Sequence, residues 1–523
     1  MAMGQGFWLH VTRGDHPPVE LLHTSPPAMS AVEASRGLGA VLDYLREDPI
    51  GHTIHPASLR PPSHPLSSSG AAGGDDDDDD HATKWVLLDL TAYIADRRNA
   101  STAAAFTRAG HAVHATLCAA RPPRVSHLCV HCPALPPADF GAEPRVLAAA
   151  GDLVLFQAAI CNPSVAFEDA MQDFFVYHTP PPVEEEDAMP SLTLLPHPGD
   201  LLPCHLTAYN VGLLLRRHGR HGIAHQHQQH YIIAMLHRST GEAEEERYNL
   251  VRFSSDDGGG KWSTTALHLG RMPPSPGLTS FCHITTKVIR MGGGFMGWVD
   301  LARGILLCDV LADRPVLHYI PLPQPLEAAM NQQIIGPSAR TVRDIVVVRG
   351  HIKFAVHQTH ERPWSFRNGT YILDDWTVAT FRWKVDLSCW EGSWQEEFRC
   401  SASKMTGSLS ELLGYKEATP LPALQNLHTG LPALSLNDDE VVYLLAKVDH
   451  RDKKGFVIAV NMKDGTLQGA DYFGAERMAG MSFTYTQSGV SDYLKSTLGK
   501  KEMLKKRPLE LLDHRSNKKP EVD

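Results

Sequence analysis

The stretch GGGFMGWVDLARGILLCDVLADRPVLHYIPLPQP, Gly292–Pro325, holds three apolar runs divided by short polar turns. Phe295 to Leu301, Gly304 to Leu311 and Val316 to Leu322 each have strand length, and Gly304, Pro315, Pro321 and Pro323 close them too soon for a helix. The gaps Ala302-Arg303 and Ala312 to Pro315 are too short for a crossover, so consecutive strands must pair antiparallel. Both parities of the second and third runs are apolar, which means both faces of the sheet are covered. A meander covered on both faces has to stack between others like it, as a blade of a β-propeller does.

Working outward, similar groups of strands recur. Upstream lie Trp85 to Asp96, Ala112 to Ala119 and Val125 to Cys132; then Pro144 to Phe156, Phe174 to His178 and Ser191 to Pro196; then Val211 to Arg216, Tyr231 to His237, Tyr248 to Phe253 and Trp262 to Gly270. Downstream lie Arg343 to Arg349, His351 to His357, Trp376 to Val385 and Trp394 to Ser401, followed by Leu431 to Leu436, Glu440 to Val448, Gly455 to Asn461 and Leu467 to Phe473. Five or six meanders without long intervening helices predict an all-β, propeller-like array spanning 83–485, with tandem β-sandwiches as the alternative. The gap Ala402 to Thr429 offers one short helix, Ser408 to Leu413, and reads as an insertion loop, as does Pro203 to Gln229.

The flanks differ in composition. Residues 1–82 are rich in Pro, Ser, Gly and Ala and end in SSSGAAGGDDDDDD, Ser67 to Asp80, whose adjacent carboxylates repel and bury nothing; this predicts a disordered arm and linker. Calcium binding by the aspartate run is disfavoured, because a tight site needs spaced ligands and a glycine-assisted turn. Residues 486–523 form a basic tail in which Lys500-Lys501, Lys505-Lys506-Arg507-Pro508 and Lys518-Lys519 read either as a nuclear-import signal or as a solvated end.

Here GWVDLARGILLCDVLADRPVLHYIPLPQP with the following Arg343-Asp344-Ile345 strand resembles the signature of the plant domain of unknown function 1618 family, numerous in grasses, with a footprint of about Gly297 to Val442. WVLLDLTAYIADRRNAST (Trp85 to Thr102) and PRVLAAAGDLVLF (Pro144 to Phe156) are similar to the usual N-terminal part of such proteins. A looser likeness is to the propeller domains of F-box proteins. The resemblance implies no activity, cofactor or catalytic residue.

The 523 residues, 43% hydrophobic and 21% charged, are enough for a large globular core. A net charge of −10 disfavours nucleic-acid binding by the folded body. Nine cysteines scattered through apparent strands read as reduced thiols of a cytoplasmic or nuclear protein, and neither a signal peptide nor a membrane span is expected.

Several groups of residues have chemical capacity. Gly292, Gly294 and Gly297 satisfy G-x-G-x-x-G, but a strand follows where a dinucleotide site needs a helix, so a tight turn is expected. Cys129 and Cys132 form a lone C-x-x-C whose members face opposite ways on a strand and read as packed thiols. His218, His221, His225, His227 and His230 cluster without an adjacent carboxylate or thiol and read as a polar loop capable of adventitious metal binding. Asp300, Asp309 and Asp344 are the carboxylates a propeller hydrolase would set across a channel; as turn caps they would be structural instead. The reading therefore assigns no catalytic, cofactor-binding or metal residue and no cofactor. It expects a non-enzymatic platform for unknown protein partners, with a channel hydrolase as the alternative and a nucleic-acid-associated nuclear protein as the third reading.

Overall fold

The structure, a computed structural model, describes residues 54–63, 85–160, 172–179, 189–201, 206–216, 230–239, 247–256, 260–268, 283–323, 336–365, 370–387, 390, 392–415, 420–477 and 484–490. These residues form six sheets. The first holds β1 (Val86–Asp89), β2 (Tyr93–Ile94), β3 (Ala103–Phe106), β4 (Ala112–Cys118) and β5 (Val125–His131). The second is β6 (Arg145–Ala150), β7 (Leu153–Ala159), β8 (Gln172–His178) and β9 (Ser191–Leu194). The third is β10 (Val211–Arg216), β11 (His230–Arg238), β12 (Arg247–Ser254) and β13 (Lys261–His268). The fourth is β14 (Lys287–Gly292), β15 (Phe295–Asp300), β16 (Gly304–Asp309) and β17 (Leu317–Pro321). The fifth is β18 (Arg343–Val348), β19 (His351–Ser365), β20 (Thr370–Lys384) and β21 (Gln395–Ser401). The sixth is β22 (His428–Leu434), β23 (Val441–Lys447), β24 (Lys454–Asn461) and β25 (Thr466–Gly474). A last strand, β26 (Tyr485–Ser488), returns to the first sheet and pairs antiparallel with β1, Val86 opposite Ser488. It straddles the expected boundary at residue 485.

Six hydrophobic clusters among the described residues show how these sheets are arranged. Each cluster draws on two sheets consecutive in the chain, and the last joins Trp85 and Leu87 of the first to Leu431, Leu445 and Phe473 of the sixth. The sheets therefore stack face to face around a closed ring. The leading strands β6, β10, β14, β18, β22 and β26 follow one another around its centre. The quoted stretch shows why the sequence demands this: on β16, Ile305 and Leu307 pack toward the fifth sheet, while Leu306 and Cys308 pack toward the third. Trp298 is fully buried against the third sheet, and its indole donates to the carbonyl of Asn210 at 3.1 Å.

Five sheets are antiparallel meanders in chain order, as expected; the first is mixed. There β1 and β2 run parallel to β5, and the other edge of β1 pairs with β26. The Gly292–Gly294 segment makes the tight turn between β14 and β15, with φ of 89°, 58° and 94°; a Cβ on Gly294 would lie 2.5 Å from Asp309 Oδ1. The segment after β21 departs from the insertion-loop expectation. It carries a helical turn α1 (Leu409–Leu412) and buries Ala402, Leu409 and Leu427 in the core between the fifth and sixth sheets, with Trp376 Nε1 donating to Leu424 O at 2.9 Å. No helix among the described residues is long and apolar enough to cross a membrane. Ser67 to Asp80, the tail beyond residue 490 and most of Pro203 to Gln229 lie outside the described residues.

Candidate functional site

Propellers carry their ligands at the ends of the central channel, so the residues at the ends of the leading strands come first. Lys287 opens β14, Asp344 is second in β18, Leu434 ends β22, and Gln487 lies in β26. The Lys287 ammonium donates to Asp344 Oδ1 at 2.6 Å and to Gln487 Oε1 at 3.0 Å. Asp344 Oδ2 accepts from the amide of Leu434 at 3.0 Å and from Gln487 Nε2, which also donates to Leu434 O at 3.2 Å. The first and fourth blades stand opposite one another in a ring of six, so the contact between Lys287 and Gln487 crosses the channel.

This plug is largely buried. Lys287 is 7% exposed and Asp344 5%. Burial pulls the Lys287 ammonium below its usual proton affinity, with Asp344 opposing the shift. A cleft opens on the plug itself, where Asp344 and Gln487 line it together with Arg340, Arg343, Leu431, Pro432 and Tyr485. Burial holds the Arg340 guanidinium down to about 10, and that group reaches back over the Tyr209 ring at 5.6 Å from the third blade. Arg343 donates to Leu301 O at 2.8 Å, and Tyr485 donates to Leu431 O at 3.1 Å. A bulge between Gly430 and Ala433, with Leu431 at φ 50°, shapes this wall.

The three candidate carboxylates are not brought together. Asp300 and Asp309 terminate the same antiparallel pair at opposite ends, Asp300 opposite Gly304 and Asp309 opposite Phe295. Five residue steps of strand separate them by about 17 Å, too far to flank one scissile bond. Asp300 is fully buried and structural: its oxygens accept from the amides of Ile284 and Ala302 at 3.0 and 2.9 Å and from Arg303 at 3.1 Å. Asp309 accepts from the Leu311 amide at 2.9 Å as a turn cap. Asp344 has both oxygens taken up in the plug. Acid-base chemistry therefore finds no pair of free carboxylates among these three.

Elsewhere the structure adds partners that the sequence did not suggest. His230 meets Asp256, which also accepts from Arg216 at 2.6 Å; the other four histidines of that cluster lie outside the described residues. Cys132 packs into the core between the first two blades, whereas Cys129 faces the other way, as the strand alternation requires. On that second face Cys129 meets Cys118 and His127, with their ligand atoms within 4.8 Å of one another. The hydrogen bond between the two thiols lowers the proton affinity of Cys118 and raises that of Cys129. The sequence alone does not single out this trio. Its signal was His127-x-Cys129 on one strand face, with Cys118 opposite His127 once the hairpin register is set.

Six stacked blades, closed by a strand from the far end of the chain, define an all-β six-bladed β-propeller. Within it the chain carries a DUF1618 family domain: residues 298–443 match the family described as protein of unknown function (DUF1618). The domain runs from Trp298 in the fourth blade to Tyr443 in the sixth. Among solved structures, the α-L-arabinanase of Penicillium chrysogenum in complex with arabinobiose is similar over 64% of this chain and 93% of its own, at 11% identity and a TM-score of 0.24. No curated protein matches the chain by sequence.

Proposed function

We propose that this DUF1618 propeller is a non-enzymatic platform for binding other proteins. The observation that carries this reading is the plug: Lys287, Asp344 and Gln487 tie the channel end together in a largely buried hydrogen-bonded network, and Asp300, Asp309 and Asp344 are each engaged in structural bonds. A propeller whose channel is occupied by its own side chains keeps its outer surfaces for recognition. The fifth blade offers a suitable element. Strands β19 and β20 pair along a fifteen-residue ribbon, but β18 pairs only with His351 to Val356 and β21 only from Thr377 onward. The ribbon beyond those points has one sheet neighbour on each strand among the described residues, and exposed strand edges are places where proteins add a partner strand.

The work of this platform is proposed for the cytoplasm or the nucleus, which fits the free thiols of the five described cysteines. Affinity capture from cell extract tests the function, comparing the full chain with a variant in which residues 361–372 are replaced by Asn-Gly. The expected result is a specific protein lost from the variant while its unfolding midpoint is retained. Hydrolysis of a polysaccharide panel by the full chain, abolished in a folded Asp344→Asn variant, would replace this reading with the channel hydrolase.

A further inference from the structure

Strands β4 and β5 are antiparallel, and their register sets Cys118 opposite His127 and Thr116 opposite Cys129. His127 and Cys129 are two residues apart on β5 and share a face; Cys118 ends β4 beside them. That face looks toward the sixth blade, since Val125 on the same parity belongs to the cluster with Leu431 and Phe473. His127 and Cys129 are 2% and 1% exposed, while Cys118 is half-buried and gives the group a side open to solvent.

We propose that Cys118, His127 and Cys129 form a binding site for a single borderline-soft divalent metal ion of the zinc class. Two thiolates and one imidazole are the donor set such ions select over the oxygen-seeking magnesium and calcium. Around a tetrahedral zinc ion, with sulfur at about 2.3 Å and nitrogen at about 2.0 Å, the donors stand about 3.5 to 3.8 Å apart. The three donor atoms already lie within 4.8 Å of one another, so side-chain rotation of about an ångström closes the set. All three come from one hairpin of a closed ring, and the backbone therefore holds them before any metal arrives.

The surroundings fit a held imidazole. The Tyr93 ring meets the His127 ring edge-on, with centroids 4.9 Å apart, and fixes its plane. The Asp89 carboxylate lies close enough to act on His127 and is itself anchored by Arg477, which stacks on the Tyr93 ring at 3.7 Å. Arg97 and Arg477 are near enough to act on the thiols, so two thiolates are tolerated there without a large excess of negative charge. Binding releases the protons of whichever thiols are protonated and leaves a fourth tetrahedral position to water. A disulfide between Cys118 and Cys129 is the competing use of the same sulfurs; it has no role for the buried imidazole.

The full chain, purified without a histidine tag and kept reduced, is loaded with cobalt(II) as a spectroscopic stand-in for zinc. Metal taken up by the histidine-rich segment, His218 to His230, would have no sulfur ligand and so would give no thiolate-to-cobalt charge transfer. The expected result is a near-ultraviolet charge-transfer band saturating at one equivalent, bleached by zinc. The band disappears in Cys129→Ser and, for the case in which that buried change unfolds the protein, in the half-exposed Cys118→Ser. His127→Asn weakens zinc at least about tenfold in competition with a chromophoric chelator, as expected for loss of a direct ligand. A reduced wild-type chain without the band overturns the proposal, as does a band that survives in folded Cys118→Ser and Cys129→Ser. Isolation of the reduced-handled protein with Cys118 bonded to Cys129, and metal held only through the histidine-rich segment, overturns it equally.

Discussion

Replacing Lys287 with methionine removes one charge from the channel plug while keeping most of the aliphatic stem. The Asp344 carboxylate would then remain 5% exposed, holding the Leu434 amide and the Gln487 side-chain amide, with the Arg340 guanidinium still acting on it electrostatically but without its ammonium partner. Removing one member of a buried ion pair costs about 3 to 5 kcal/mol, because the partner charge stays out of water uncompensated. Two neutral donors still serve Asp344, so the lower end, about 3 kcal/mol, is expected. The pair Lys287→Met with Asp344→Asn removes both charges and should recover most of that loss. Urea denaturation at constant m-value measures all four corners of the cycle, and repeating it at high salt should leave the coupling largely intact, since buried pairs are weakly screened. An unchanged midpoint for Lys287→Met, or costs that simply add in the double variant, would refute a buried, ion-paired plug.

Trp298→Ala should cost about 3 to 5 kcal/mol, because it empties the contact between the third and fourth blades and orphans the Asn210 carbonyl; a midpoint shift under about 1 kcal/mol would count against that packing. Burial pushes His357 down to about 3 from its usual 6.5, where it meets the Thr429 hydroxyl at 2.8 Å. Between those two values the unfolded chain binds a proton that the native chain lacks, so stability falls as pH drops, by up to about 1.4 kcal/mol per pH unit. His357→Gln should flatten that acid limb, and an identical slope in both proteins would show that His357 does not titrate this way. Ending the chain at residue 491 should reduce nuclear accumulation of a fluorescent fusion if the lysine clusters act as an import signal; equal distributions would leave the tail a solvated end.

Much of the blade arrangement was legible because its physics is local. Alternate residues of Gly304 to Leu311 are apolar on both parities, which only a stacked sheet satisfies, and Ile305 and Leu306 indeed face different neighbours. β14 was missed because Lys287, Arg290 and Gly292 dilute its apolar residues, and β26 because Tyr-Thr-Gln-Ser carries little hydrophobic signal; its place is fixed by β1 instead. The parallel pairing of β1 with β5 escaped for the same reason, since ring closure is a property of both chain ends together. The plug was illegible at a deeper level: Lys287, Asp344 and Gln487 are 57 and 143 positions apart in turn and meet only because the ring closes. The Cys118, His127 and Cys129 trio needed only a hairpin register, which residue spacing alone left open.

Strand β26 closes the six-bladed ring and in doing so delivers Gln487 to the channel. Comparing equilibrium unfolding of a chain ending at Val490 with one ending at Thr484 tests it most directly. The shorter chain loses the pairing with β1, the buried Tyr485 and the plug contact of Gln487. Cooperative unfolding near the full-length midpoint is expected for the chain ending at Val490, and a large loss of stability or of cooperativity for the one ending at Thr484. Superimposable unfolding curves for the two would contradict it.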